Sequence, residues 1–142
     1  MTKQILVPID GSPQSDDALT HALEEFADAD ITVLHVIDPI DAGYSAPVGV
    51  PGGSEEWYEN AERESETLFE DAQNVADDYG VTLDSATELG RPSRTIVGYA
   101  DDEGFDHIVM GSHGRSGVSR ILLGSVAETV VRRATIPVTV VR

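Results

Sequence analysis

The fold is decided by residues 5–13, which read ILVPIDGSP. The first five form a continuous apolar run, which is typical of a strand buried on both faces of a parallel sheet. Ser12 followed by Pro13 then indicates a helix N-cap with proline at the first helical position. Strand, short turn and helix in this order are the opening unit of an α/β fold.

The same alternation continues along the chain. An open five-stranded parallel sheet of order 3-2-1-4-5, with helices on both faces, accommodates this pattern, and 142 residues suit one domain, 1–142. Two strands read as sheet edges, the polar third strand and the last strand, which contains Pro137. We predict strands at 3–9, 31–37, 81–88, 107–110 and 136–141, and helices at 12–27, 54–79, 92–104 and 124–134.

The long acidic helix at 54–79 carries an apolar stripe, and its many carboxylates read as a solvated face rather than a metal site. His35 lies within the buried second strand, where a satisfied core residue is the better interpretation than a catalyst. The inward positions predicted for the helix are Trp57, Ala61, Leu68, Ala72, Val75, Ala76 and Tyr79.

Strand order 3-2-1-4-5 places the carboxyl ends of strands 1 and 4 side by side, at the point where the order reverses. Open α/β sheets bind their ligands in the crevice outside such a point. Residues 8–12 follow strand 1 and residues 111–114 follow strand 4. We therefore expect a ligand site between these two turns.

A glycine-rich loop, GSHGRSG at residues 111–117, follows strand 4, and Gly124-Ser125 stands where the next helix begins. Glycine lets a backbone approach a ligand closely, and the free N–H groups at a helix start favour phosphate. Arg115, with Arg120 as a second candidate, offers positive charge. Any one of these glycines alone reads as a turn or helix cap, but together they predict an anion or nucleotide site.

Charge is strongly negative and unevenly spread. Acidic residues outnumber basic ones 26 to 9, for a formal net charge of −17, which argues against binding to nucleic acid or anionic membranes. Residues 91–142 hold five acids and seven arginines, so an anion is expected only there. Lys3 is the only lysine, and the composition suggests a halophilic host; an ordinary acidic protein is the alternative.

Other site classes are excluded by composition and motif. The chain has no cysteine, which excludes disulfides, thiolate metal sites and cysteine nucleophiles. No GxxxxGK[ST] motif occurs, and the turn at 10–13 is not GxGxxG. No apolar run approaches about 20 residues, and the start of the chain has no signal-peptide pattern, so we expect a cytoplasmic protein without membrane contact.

The spacing G-x2-G-x9-G-[ST] is met by Gly111, Gly114, Gly124 and Ser125. It resembles the ATP-binding signature of the universal stress protein family. The resemblance extends to the segments 5–12, 34–38 and 136–142, so that it covers essentially the whole chain. It implies the adenine-nucleotide alpha hydrolase-like fold and a homodimer formed through the edge strand 136–142, which an exposed sheet edge also favours.

The same resemblance implies a ligand, ATP, with Mg²⁺ or Mn²⁺ held through its phosphates. Two alternatives remain open at the residue level: the Asp10 carboxylate either lies near the ribose or caps its own turn, and His113 either touches a phosphate or fills the loop. The implied contacts are Pro8 and Asp10 with the adenosine, the Val36 main chain with the adenine, Gly111, Ser112, His113, Gly114, Arg115, Ser116 and Gly117 around the ribose and phosphates, and Gly124, Ser125, Val126 and Ala127 at the phosphates.

Phosphoryl transfer needs a positioned nucleophile, and no carboxylate or histidine in the sequence is clearly placed to orient a water molecule. We therefore assign no catalytic residue, and the resemblance implies slow hydrolysis at most. The first hypothesis is an ATP-binding regulatory or stress-resistance protein. The alternatives are a slow ATPase and a dimeric interaction module that binds no nucleotide.

Overall fold

Strands and helices alternate in the structure, a computed structural model that describes residues 2–39, 53–113 and 123–142. The order of these elements agrees with the sequence prediction. The strands are β1 (Gln4–Pro8), β2 (Asp30–Ile37), β3 (Asp84–Leu89), β4 (His107–Gly111) and β5 (Val138–Val141), and the helices are α1 (Pro13–Glu25), α2 (Gly53–Asp77), α3 (Pro92–Asp102) and α4 (Ser125–Arg133).

The five strands form one parallel sheet of order β3-β2-β1-β4-β5, which confirms the predicted fold class and strand order. β1 lies at the centre, where Leu6 is opposite Thr32 of β2 and Ile108 of β4. The strand order reverses at β1, because its two neighbours follow it in the chain as the second and the fourth strand. β3 and β5 are the sheet edges, as the sequence predicts.

Alternate residues of the central strand enter two separate cores. Ile5 and Val7 pack with α1 and α2 on one face of the sheet. Leu6, between them, packs with α3 and α4 on the other face. Burial of both faces explains why β1 is an uninterrupted apolar run, and it confirms the prediction of helices on both sides.

Two strands begin two or more residues later than the sequence predicts. β3 starts at Asp84 rather than at residue 81, because the Gln73 side chain of α2 binds the preceding segment: its amide donates to Val81 O at 2.9 Å and its carbonyl accepts from Leu83 N at 2.9 Å. The final strand begins at Val138 and not at residue 136. Pro137 has no amide hydrogen to donate to a ladder.

The inward face of α2 agrees with the predicted stripe only in part. Ala72 and Ala76 are buried, but the prediction is wrong for Val75 and Tyr79, whose exposed fractions are 39% and 40%. Val75 lies about 100° around the helix from Ala76, and Tyr79 lies beyond the last helical residue. Ser65, which the prediction omitted, is 1% exposed on this face.

His107 is the first residue of β4, so it lies at the amino-terminal ends of the strands, and the glycine loop follows the carboxyl end of the same strand. Its Nε2 is 2.7 Å from Thr139 Oγ1 of β5, and its ring centroid is 5.1 Å from that of Phe26. Burial lowers the pKa of His107, and the charges of Lys3 and His21 lower it further. The imidazole therefore contacts β5 and the end of α1 from β4, and its burial disfavours the protonated form.

No helix within the described parts of the chain is both long enough and apolar enough to cross a bilayer.

Candidate functional site

The carboxyl ends of β1 and β4 lie side by side at the reversal of strand order, as predicted. β1 ends at Pro8, and the amide of Ile9 then donates to Leu34 O at 2.8 Å, which continues the contact with β2. α1 begins four residues after Ile9. The first residues of α4 are brought to the same edge by the contacts of Ser112.

Ser112 joins three elements at the end of β4. Its amide donates to Val141 O of β5 at 2.8 Å, and its carbonyl accepts from the amide of Gly124 at 2.6 Å. Only 3% of the residue is exposed. These bonds hold the N-cap of α4 against the carboxyl end of β4, although the two residues are twelve positions apart in the chain.

Gly124 is the N-cap of α4, and little room is left around it. A Cβ atom added there would lie 3.1 Å from Ser112 O and 3.4 Å from His113 Cα. Its φ of −69° is open to any residue, so glycine is favoured here by close approach and not by backbone conformation.

Among the residues that the structure describes, no side chain caps the N-terminus of α4. The first N–H groups of a helix have no partner within it. In the described parts of the chain, the amides of Ser125, Val126 and Ala127 have no main-chain partner outside the helix either. Ser125 is the first helical residue and is exposed, and its hydroxyl does not cap the helix because the N-cap position belongs to Gly124.

The N-terminus of α1 is, in contrast, closed by its own chain. Ser12 Oγ accepts from Ser15 N at 3.1 Å, Pro13 has no amide hydrogen, and Asp10 Oδ1 accepts from Ser12 N at 2.9 Å. The Asp10 contact is the turn-capping alternative considered above.

Negative charge also surrounds the first turn of α1. Burial raises the pKa of Asp16, and the nearby carboxylates of Asp17, Asp10 and Asp71 raise it further. The negative charge of these carboxylates repels an anion, which offsets the attraction of the helix N-terminus. Of the two helix N-termini at the reversal point, only that of α4 is suited to a phosphate.

His113 lies directly beside the start of α4. Its Nδ1 is 3.0 Å from Ser112 Oγ, and its Cδ2 would be 3.7 Å from a Cβ on Gly124. The Nε2 atom is buried and has no hydrogen-bond partner among the residues that the structure describes. Leaving such a buried polar group unpaired costs about 1–3 kcal/mol, so a ligand atom that pairs with it would be favoured.

Gly111, the first glycine of the signature, has a steric role that the sequence did not reveal. A Cβ there would lie 2.7 Å from both the carbonyl carbon and the oxygen of Gln14, in the first turn of α1. Glycine is therefore required for α1 to pack against the end of β4.

The remaining predicted site residues divide into two groups. Pro8 and Val36 are half-buried at the carboxyl ends of β1 and β2, and Val36 packs against the core beneath α3 and α4. The others lie outside the described residues, as does most of the predicted loop 38–53. These are Gly114, Arg115, Ser116, Gly117 and Arg120.

His35 is a satisfied core residue, as predicted. It is 5% exposed, and its Nδ1 is 2.6 Å from the hydroxyl of Ser65 on α2. Sequence reasoning missed Ser65, but a signal was present. The serine stands in the apolar stripe of α2, four residues after Ala61 and three before Leu68, where a buried histidine on β2 needs a polar partner.

A concavity lies between β3 and α3, away from the reversal point. It is open, has a volume of about 260 Å³, and is lined in part by Glu88, Tyr99, Asp102 and Glu103. Burial raises the pKa of Tyr99, with Glu103 and Glu88 contributing. This acidic pocket is unsuited to an anion. Across residues 2–39, 53–113 and 123–142, no three histidine or carboxylate side chains group as metal ligands would.

Comparison with known proteins agrees with this architecture. The model of the universal stress protein family matches residues 1–142. Universal stress protein MJ0531 of Methanocaldococcus jannaschii is 37% identical, over 99% of this chain and 82% of that protein. MJ0577 of the same organism is 36% identical, over 100% of this chain and 96% of that protein.

Solved structures share the fold. That of MJ0577 has a TM-score of 0.84 at 34% identity, covering 99% of this chain and 96% of that one. A universal stress protein family protein from Arabidopsis thaliana with AMP bound has a TM-score of 0.70, covering 98% and 90% of the two chains. At 20% identity, the plant protein shows a shared fold alone. With a family match over its full length and close relatives above 30% identity, this chain belongs to the universal stress protein family.

Proposed function

We propose that this protein binds ATP at the reversal point of its sheet and acts as a nucleotide-responsive regulatory or stress-resistance protein. One observation carries the proposal. The N-terminus of α4, which no described side chain caps, is held against the end of β4 by the bond from Gly124 N to Ser112 O, and the buried Nε2 of His113 lies beside it.

The chemistry of these groups suits a phosphate. Main-chain amides at a helix start, together with the positive end of the helix dipole, bind anions without a lysine. On this proposal Ser125, Val126 and Ala127 offer amides to the phosphates. The fold of the AMP-bound plant protein makes an adenine nucleotide the first ligand to test.

The adenosine end of the ligand is assigned by position. Pro8 and Val36 lie at the carboxyl ends of adjacent strands, where half-buried apolar side chains suit contact with a base. The Asp10 carboxylate, whose Oδ1 accepts from Ser12 N, is assigned to the ribose by its position at the end of β1. Mg²⁺ or Mn²⁺ would accompany ATP through phosphate oxygens and neutralise part of their charge.

Two further features complete the proposal. Edge strand β5 would pair with its mate in a homodimer, since an exposed parallel edge offers unpaired main-chain groups. The charge of −17 and the single lysine would suit a cytosol rich in salt, where repulsion between surface carboxylates is screened.

The test is a titration with fluorescent ATP in 2 M KCl with Mg²⁺. We expect Ser125→Ala to weaken binding by roughly 2–10-fold, the effect of one hydrogen bond, and Gly124→Val to weaken it more than about tenfold. Ser93→Ala is the matched control, because Ser93 stands near the start of α3. Absence of wild-type binding at millimolar ATP, or unchanged affinity in both variants, rejects the proposal.

A further inference from the structure

The hydrogen bond between Ser112 and His113 determines where the proton of the imidazole lies. Ser112 Oγ and His113 Nδ1 are 3.0 Å apart, and Ser112 is 3% exposed, so water does not satisfy its hydroxyl. A neutral imidazole carries one proton, on either Nδ1 or Nε2. The two placements leave different groups unpaired.

With the proton on Nδ1, the imidazole would donate to Ser112 Oγ. The serine would then need a second acceptor for its own proton, and within the described residues its hydroxyl contacts His113 alone. With the proton on Nε2, the serine O–H donates to Nδ1 and both atoms are satisfied. The second arrangement leaves a single unpaired group, a buried N–H at Nε2.

The edge of the imidazole that carries Nε2 lies near the N-cap of α4. Cδ2, which is bonded to Nε2, would be 3.7 Å from a Cβ on Gly124, the N-cap of the helix. The amide of Gly124 is itself engaged by Ser112 O at 2.6 Å. Ser112 therefore contacts both the imidazole and the helix start, and it sets their relative position.

We propose that Ser112 is a positioning residue that keeps the His113 proton on Nε2, and that this N–H donates to a phosphate oxygen of the ligand held at the start of α4. The inference deepens the proposed function and rests on it. It predicts recognition of phosphoryl oxygen, whether the oxygen belongs to a nucleotide or to inorganic phosphate, and no contribution of His113 to the binding of adenosine.

The first experiment reads the tautomer directly. Long-range proton–nitrogen correlation spectra of ¹⁵N-histidine protein are recorded at pH 8, above the ordinary histidine pKa of about 6.5, and His113 is assigned as the signal missing in His113→Gln. We expect the Nε2–H pattern in the wild type and in Ser112→Thr, which keeps the hydroxyl. Ser112→Ala should show both tautomers.

The second experiment measures binding of ATP, AMP and adenosine, with inorganic phosphate as a separate probe. His113→Phe should weaken ATP and AMP about tenfold and leave adenosine unchanged. His113→Gln places an amide N–H at similar reach and should recover most of the loss. His21→Phe, a histidine replacement on α1 away from the site, should behave as wild type, and circular dichroism confirms that each variant is folded.

The outcomes separate this inference from the proposed function. If the wild type binds ATP but His113→Phe binds it equally well, the inference fails and the proposed function stands. If no nucleotide binds, the proposed function fails, and the spectra then decide the inference. An Nδ1–H tautomer, or an Nε2 resonance unmoved by both phosphate and ATP, overturns it.

Discussion

Gly111→Ala should destabilise the protein although it adds one methyl group. The new Cβ would lie 2.7 Å from the carbonyl carbon and oxygen of Gln14 and 2.8 Å from its Cβ. Ordinary contacts begin near 3.4 Å, so the first turn of α1 must move by several tenths of an ångström. Overpacking of this kind costs about 1–3 kcal/mol, and relief is difficult here because two of the three atoms belong to backbone.

The assay is thermal and urea unfolding followed by circular dichroism. For a chain of about this length, each kcal/mol lowers the melting temperature by roughly 2–4 °C. Gly98→Ala is the matched control, because no atom lies within 4 Å of its Cβ position in the interior of α3. Alanine is the better helix former there, so this variant should be stabilised by about 0.5–1 kcal/mol.

Opposite signs for the same glycine-to-alanine change would isolate the steric effect at Gly111. The reasoning is refuted if Gly111→Ala melts at or above the wild-type temperature. It is also refuted if both variants lose the same stability, since a general glycine effect would then explain the result without any contact with Gln14.

Three further predictions concern stability. Ser65→Ala removes the hydroxyl 2.6 Å from His35 Nδ1 and should cost about 1–3 kcal/mol in urea unfolding, whereas Thr67→Ala, on the exposed side of α2, should change it by less than about 0.5 kcal/mol. Equal effects would contradict the core role of Ser65. Because the pKa of His107 is lowered on folding, the unfolded chain binds a proton first, and the unfolding free energy should fall as the pH drops below about 6.5. Replacement of His107 by glutamine should flatten that pH dependence; an identical slope would count against the pKa shift. The melting temperature should rise between 0.1 and 3 M KCl as the charge of −17 is screened, and a salt-independent value would reject adaptation to high salt.

Local patterns were sufficient to predict the framework. The apolar run of β1 and the Ser12-Pro13 helix start depend on residues adjacent in the chain, and both are where the sequence indicates. Boundaries were predicted less well where a distant side chain intervened. Gln73 binds the residues before β3, and nothing in the local sequence at 81–83 reports that contact.

The sequence predicted where the candidate site lies, but it did not predict the separate roles of the two glycines in it. Spacing identified Gly111 and Gly124 as one glycine signature, yet in the structure Gly111 accommodates the backbone of α1 and Gly124 approaches Ser112. Sequence reasoning left open both roles of Asp10. The structure shows its Oδ1 capping the amide of Ser12, two residues on.

The sequence by itself determined the alternation of strands and helices and indicated the family, because hydrophobic periodicity and motif spacing are properties of neighbouring residues. The strand order was predicted from that alternation, and the structure confirms it. Tertiary structure alone decided which helix start is open and which is closed. It also decided that Ser112 joins β5, α4 and His113. The physical reason is that these properties depend on contacts between residues far apart in the chain, where a few tenths of an ångström separate a hydrogen bond from a steric clash.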